Sequence, residues 1–343
     1  MALSKELIFK ELSLILMKYS LGKLSSSIEQ ITDGWTNLTY KFQMESNGKF
    51  YILRIYHSDR EENIQVELNF ISYLYNQIHL PVVPSIDPPG IFLLANQYYC
   101  VIFPFIDGIK YINTPQNYLR QLWQTLEISR FPGQLHSINN ENTVSICNYR
   151  VINIVDTKYQ LINSCDKFQK DYQDLYKRIR KIIDECTSMI PVIENEFEQI
   201  IFERNLEKKL PKGFIHVDIH DENVLFDREQ NKIAAVLDFN DISFGPFLID
   251  IAMTLCFWCS CGPKFNTDYA KQFLIEYQQT RKMSLTNDEW NLLELYCYMT
   301  IFHQILFIIQ LQDNEKIINE MINELLLPIE EISQNKTFLR DIR

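Results

Sequence analysis

Gly213-Phe-Ile-His216-Val-Asp218-Ile-His220-Asp-Glu-Asn223-Val-Leu-Phe226, followed after a polar break by Ile233-Ala-Ala-Val-Leu237-Asp238-Phe239, is the stretch on which the fold turns. Phe214-Ile215 and Val224-Leu225-Phe226 are short apolar runs of strand type. Asp227 to Asn231 is a turn signal, and Ile233 to Leu237 reads as the next strand of a hairpin. The loop between the first two runs carries Asp218 and Asn223, while Asp238 leaves the end of a strand beside it. These hard-oxygen side chains are of the kind that magnesium favours while it keeps several waters. Transfer of a γ-phosphoryl group needs a group to orient the attacking hydroxyl and oxygens to hold that metal. Asp218 suits the first task, and Asn223 and Asp238 the second. In a plain surface turn, Asp and Asn bond their own backbone; flanks this apolar argue against that reading.

The segment resembles the catalytic core of the aminoglycoside phosphotransferase and choline kinase superfamily, small-molecule relatives of the protein kinases. Their loop reads His-Gly-Asp-x-His-x-x-Asn, and here His216-Val217-Asp218-Ile219-His220-Asp221-Glu222-Asn223 differs only at Val217. The resemblance implies Asp218 as catalytic base, with Asn223 and Asp238 as magnesium ligands. Val217 stands where a Gly tolerates unusual φ. Asp238-Phe239-Asn240 lacks the Gly of the protein-kinase Asp-Phe-Gly.

Upstream, Leu7, Ile8, Leu12, Ile15, Leu16 and Tyr19 recur at helical spacing, with Gly22 as a stop. Ile28 to Ile31, Leu38 to Phe42 and Phe50 to Tyr56 then read as a β-meander. In a kinase-type small lobe the first turn covers the ATP phosphates and the third strand carries a cation for them. The resemblance therefore implies Gly34 for the turn and Arg54 for the cation. An Arg reaches phosphate oxygens through a planar fork. A helix from about Glu61 to Gln77 puts Val66, Phe70, Tyr73 and Leu74 on one face. Glu67, beside that face, matches the helix Glu that pairs with the strand cation. Strands at 91–94 and 98–103 lead into Phe103-Pro104-Phe105-Ile106-Asp107-Gly108, where the superfamily places its adenine-reading hinge. Phe103 and Phe105 are thereby expected at the nucleotide.

From about Leu119 the pattern turns helical and closes on Leu135-His136, with His136 read as a structural hydrogen-bonding residue. The polar stretch 148–212 is expected to shape the acceptor pocket. Asp250 opens an apolar helix, expected over 251–259, as a plain N-cap or as a brace behind the loop. His216 is read as a further brace. His220 either touches phosphate or substrate or only steadies the loop. Trp290 to Gln312 is a further helix with large apolar faces.

The expectation is an α+β, two-lobed, protein-kinase-like fold. A small N-terminal antiparallel β-sheet lobe binds nucleotide (1–105), and a larger, mostly helical C-terminal lobe carries catalysis and substrate binding (106–343). The resemblance spans about 25–305 and looks nearest to homoserine kinase-type enzymes. The cues are Leu21-Gly22, Asn37-x-x-Tyr40, Asp250-Ile-Ala, Cys256-x-Trp258-Cys259 and Tyr277-Gln278. It implies a small-molecule kinase that uses ATP and Mg2+ to phosphorylate a hydroxyl of an amino alcohol, an amino acid such as homoserine, a sugar or an aminoglycoside. Two rivals stand beside it. One is a nucleotide-binding pseudoenzyme or regulatory module. The other is a protein kinase, although only Phe239 to Ile249 separates Asp238 from the next helix.

Composition narrows the partners. A net charge of −11 lacks the basic footprint of a nucleic-acid binder. The eight scattered Cys read as buried free thiols, and Cys256-x-x-Cys259-x-Cys261 as helical core, since no second ligand pair follows. Charges interrupt any signal-peptide core at the N-terminus, and no apolar run approaches the ~18 residues of a bilayer span. A cytoplasmic enzyme with no membrane or nucleic-acid partner is expected.

Overall fold

The computed structural model describes residues 4–31, 37–57, 59–86, 90–112, 120–138, 148–149, 160, 177–181, 184, 205, 208–261, 264–311 and 315–334. Among these the principal elements are α1 (Lys5–Lys18), β1 (Leu24–Ile31), β2 (Leu38–Met44), β3 (Phe50–Ile55), α2 (Glu61–Tyr73), β4 (Phe92–Leu94), β5 (Tyr98–Pro104) and α3 (Leu122–Leu135). After β6 (Asn148–Tyr149) come β7 (Lys212–Ile215), β8 (Val224–Phe226), β9 (Ile233–Val236), β10 (Ser243–Pro246), α4 (Leu248–Trp258), α5 (Thr267–Arg281), α6 (Asn287–Leu311) and α7 (Glu315–Gln334). The chain divides into two compact units. Residues 1–109 and 225–240 make the first, and 110–224 and 241–343 make the second.

The first unit is built on an antiparallel sheet in the order β1-β2-β3-β5-β4. Alternation sets its faces, because successive side chains of a strand point opposite ways. Tyr40, Phe42 and Met44 of β2, with Leu53 and Ile55 of β3, meet Ile8, Leu12 and Leu16 of α1 in one buried cluster. Each large side chain so buried contributes about 1.5–3 kcal/mol. Ser4 caps α1 by accepting the Leu7 N–H at 3.2 Å. Thr39, Lys41, Ile52 and Arg54 project from the opposite face of the same strands, as the pairings Thr39–Arg54 and Lys41–Ile52 require. The β8–β9 hairpin belongs mostly to this unit. It is tied in by paired backbone bonds of 2.9 Å between Ile109 and Phe226 and by Val236 N–H to Pro81 O at 2.7 Å. Gly108 makes that approach possible, since a Cβ there would lie 2.9 Å from Leu225 Cβ.

In the second unit α3 packs along α5, and α4 along α6. The short strands β6, β10 and β7 form a sheet in that order, with β10 antiparallel to β7. Arg178 reaches Glu330 on α7 at 2.6 Å and also bonds Asn323. Most of 148–212, expected to shape the acceptor pocket, lies outside the described residues.

Three sequence expectations are corrected. Glu67 does not sit beside the buried face of α2 but on it, at 4% exposure, in line with Ile64, Leu68 and Ile71. Asp250 is not an N-cap, because α4 starts two residues earlier and places it in the first turn. One helix is long and apolar enough to cross a membrane by length and composition. This is Asn287–Ile309 of α6, and 67% of its apolar window is buried inside the fold.

Candidate active site

The loop after β7 is held by its neighbours rather than by its own sequence. Asp250, fully buried in the first turn of α4, accepts the His216 N–H at 2.8 Å and the Val217 N–H at 2.7 Å, one on each carboxylate oxygen. His136 Nε2 lies 3.2 Å from the same carboxylate, and Nδ1 lies 2.8 Å from the Tyr277 hydroxyl. Burial lowers the His136 pKa despite that carboxylate. The neutral ring donates from Nε2 to Asp250 and accepts from Tyr277 at Nδ1. Val217 has φ +76, a left-handed conformation that is costly for a β-branched residue. Asp250 therefore fixes a turn that the local sequence opposes.

Further along, Trp258 donates its indole N–H to Ile219 O at 3.0 Å. Arg120, buried at 2% exposure, lies over the Trp258 ring at 4.1 Å and donates to Asp221 at 3.2 Å and to Phe257 O at 3.3 Å. Asp221 anchors the loop to this guanidinium.

Asp218 stands at the centre of this frame, with about a quarter of its side chain exposed. Asn223 Nδ2 donates to its carboxylate at 2.8 Å and to its carbonyl at 3.0 Å, and Gln304 on α6 donates at 3.4 Å. His220 Nε2 lies 3.4 Å away. Burial alone would raise the Asp218 pKa, but the hydrogen bond and charge of His220, with His216 and Asn223, hold it below the ordinary carboxylate value. For His220, burial pulls down, yet Asp218, Asp221 and Glu222 carry it up to about 9. The Glu222 N–H points at His220 Nδ1 from 3.3 Å, which favours the neutral ring. Asn223 Nδ2 likewise stands 3.1 Å from His220 Nε2, so two N–H donors address the ring while the surrounding carboxylates draw a proton to it. Asp218 stays ionised beside it.

The first unit holds the other functional candidates. Arg54 on β3 donates to Asp238 at 2.7 Å, while Glu67 stands 3.7 Å from the same guanidinium. Asp238 has φ +62. Burial opposes the charge on Arg54, but Asp238, Tyr56 and Glu67 together raise its pKa. Tyr56, two residues beyond Arg54, donates its hydroxyl to Glu67 at 3.1 Å. Glu67 is pushed up to about 7, first by burial and only partly relieved by Arg54, whose hydrogen bond goes to Asp238. Phe103 lies on β5. The Phe105 N–H is donated to Phe50 O at 3.1 Å, so that amide is not the group that reads a base. Gly34 lies outside the described residues.

A pH test follows from Glu67. Its folded pKa lies above the ordinary glutamate value of 4.5. Its contribution to stability is therefore intact below pH 4.5 and lost as pH rises through about 7. Glu67→Gln, which cannot ionise, is expected to gain on the wild type across that interval and to run parallel above it. Melting temperatures from pH 4 to 8.5 check this. Parallel curves throughout would count against a raised Glu67.

Residues 27–283 match the model of the phosphotransferase enzyme family. The chain belongs to that family. It is a phosphotransferase of the small-molecule kinase type, with an alcohol group as acceptor. A homoserine kinase of Mesorhizobium japonicum is 25% identical over 279 residues, covering 80% of this chain and 78% of that protein. A homoserine kinase of Zymomonas mobilis is 26% identical over 276 residues, covering 77% and 74%. Among solved structures, a spectinomycin phosphotransferase in complex with ADP and spectinomycin aligns over 97% of both chains, with TM-score 0.63 and 15% identity. A microcompartment-associated aminopropanol kinase aligns over 96% and 98%, with TM-score 0.64 and 14% identity. These likenesses support the two-lobed, protein-kinase-like fold of the phosphotransferase.

Arg120, Tyr56 and Gln304 were not singled out in the sequence, and Trp258 and Tyr277 entered only as marks of the resemblance, because their partners lie 11 to 141 residues away.

Proposed function

We propose that this phosphotransferase uses ATP and magnesium to phosphorylate the hydroxyl of a small amine-bearing alcohol or amino acid, with homoserine the first candidate. The observation that carries the reading is Asp218, five residues before Asn223, its carboxylate bonded by Asn223 and Gln304 with His220 3.4 Å away. Relatives of known name that align over most of their length, homoserine kinases at 25–26% identity, support the choice of acceptor. In this reading, residues 1–105 bind nucleotide, with Gly34 over the phosphates and Phe103 and Phe105 at the hinge. Residues 106–343 carry catalysis and substrate binding.

Asp218 is the catalytic base. Because its pKa is lowered, it accepts a hydrogen bond from the hydroxyl and takes the proton late, as suits a loose transition state. Arg54 grips phosphate oxygens through its fork, with Glu67 and Tyr56 holding it from behind. Asn223 and Asp238 fit magnesium by donor chemistry. The Nδ2 of Asn223 is committed to Asp218, which leaves Oδ1 for a cation, and Asp238 uses only Oδ1 on Arg54. When bound, magnesium would neutralise charge on the triphosphate.

The test is ADP release from MgATP across a panel of homoserine, hydroxylysine, choline, ethanolamine, aminopropanol, methylthioribose, hexosamines and aminoglycosides. One acceptor raising ADP release in the wild type but not in Asp218→Asn supports the reading and names the acceptor. ATP binding with silence across the panel would favour a nucleotide-binding module instead.

A further inference from the structure

Lys41 is a second cation on the face of the sheet that carries Arg54. The register puts Thr39 opposite Arg54 and Lys41 opposite Ile52. On the other side of β3, Arg54 pairs with Val101 and Ile52 with Phe103. Lys41 therefore stands in the row of Phe103, two residues, or about 7 Å, nearer the 103–108 segment than the row of Arg54. Its ammonium lies 3.9 Å from the centre of the Phe105 ring and 4.6 Å from that of Phe50. The two rings meet edge to face, with centroids 6.2 Å apart. Glu29 faces Lys41 across β1–β2, yet among the described residues no carboxylate lies within ion-pair distance of the ammonium. The charge is held on two aromatic faces, an attraction worth about 0.5–2 kcal/mol. Its three N–H donors keep their capacity to bond an incoming acceptor.

We propose that Lys41 contacts the nucleoside half of the bound nucleotide, through ribose oxygens, acceptor nitrogens of the base or the base π-face. This rests on the nucleotide reading of the sheet face given above. If Arg54 takes the phosphates and 103–108 the base, a cation in the row of Phe103 falls at the base and ribose rather than at the phosphates. Lys41 is then a binding determinant whose effect does not depend on phosphate count, whereas that of Arg54 grows with it.

Calorimetric titration of the full chain with adenosine, ADP and ATP, each with magnesium, separates the two. Lys41→Met keeps the aliphatic stem and is expected to weaken all three ligands by a similar factor of about ten. Lys41→Arg restores most of the affinity. Arg54→Met weakens ATP most and adenosine least. Unchanged adenosine affinity in Lys41→Met overturns the proposal, as does a loss seen only with the phosphorylated ligands. A lower melting temperature with unchanged affinities overturns it too, leaving Lys41 as a clamp on Phe50 and Phe105. If the wild type binds no nucleotide, the kinase reading falls and takes this one with it. If the wild type binds and Lys41→Met binds equally well, only this inference falls.

Discussion

Asp218→Asn is expected to lower acceptor-dependent turnover by about 10²–10⁴-fold, the usual range for losing a positioned acid–base group. The carboxylate receives donors from Asn223, Gln304 and His220 while leaving part of its surface open. An amide in its place keeps the shape but turns one acceptor into a donor. It can no longer take the hydroxyl proton. The substitution leaves Arg54 and its partners untouched, so under the proposed reading ATP affinity should stay within about threefold, and melting should shift little for a partly exposed site. Steady-state rates beside a binding isotherm separate these outcomes. Turnover within a few-fold of wild type would remove Asp218 from the chemistry.

The second large effect is on the fold. Asp250→Ala leaves the buried His216 and Val217 N–H groups without their acceptor and takes the partner of His136 Nε2 away. Each orphaned buried donor costs about 1–3 kcal/mol. Breaking a buried charged contact costs about 3–5 kcal/mol in all. A fall in melting temperature on the order of 10 °C is expected, at about 2–4 °C per kcal/mol for a chain somewhat below this size. Asp250→Asn keeps one acceptor oxygen and should lose about half as much. Activity should vanish in Asp250→Ala even where the protein remains folded, because Val217 no longer has a reason to stay left-handed. A melting temperature within 2 °C of wild type would show that the loop is held by something else.

What the sequence made legible was local. Alternation and turn chemistry located the meander of β1 to β3 and the β8–β9 hairpin, and helical spacing located α1 and α6. The spacing of Asp218, Asn223 and Asp238 carried the resemblance to a kinase-type core. What stayed hidden depends on residues far apart in the chain. The pairing of Glu67 with Arg54 followed from the resemblance, but the Tyr56 hydroxyl on Glu67 is visible only in the folded chain. Asp221 reads as a loop acid until Arg120, 101 residues away, reaches it.

The clasp of Asp250 on Val217 also sets an order of events during synthesis. The carboxylate lies 34 residues after His216 and 33 after Val217, so the loop leaves the ribosome well before the group that shapes it. A nascent chain that ends short of α4 contains Asp218, Asn223 and Asp238 but no means of holding Val217 in its unfavourable conformation. Catalytic competence therefore arrives with the folding of α4, and opening of that helix should expose the His216 and Val217 amides to solvent exchange together.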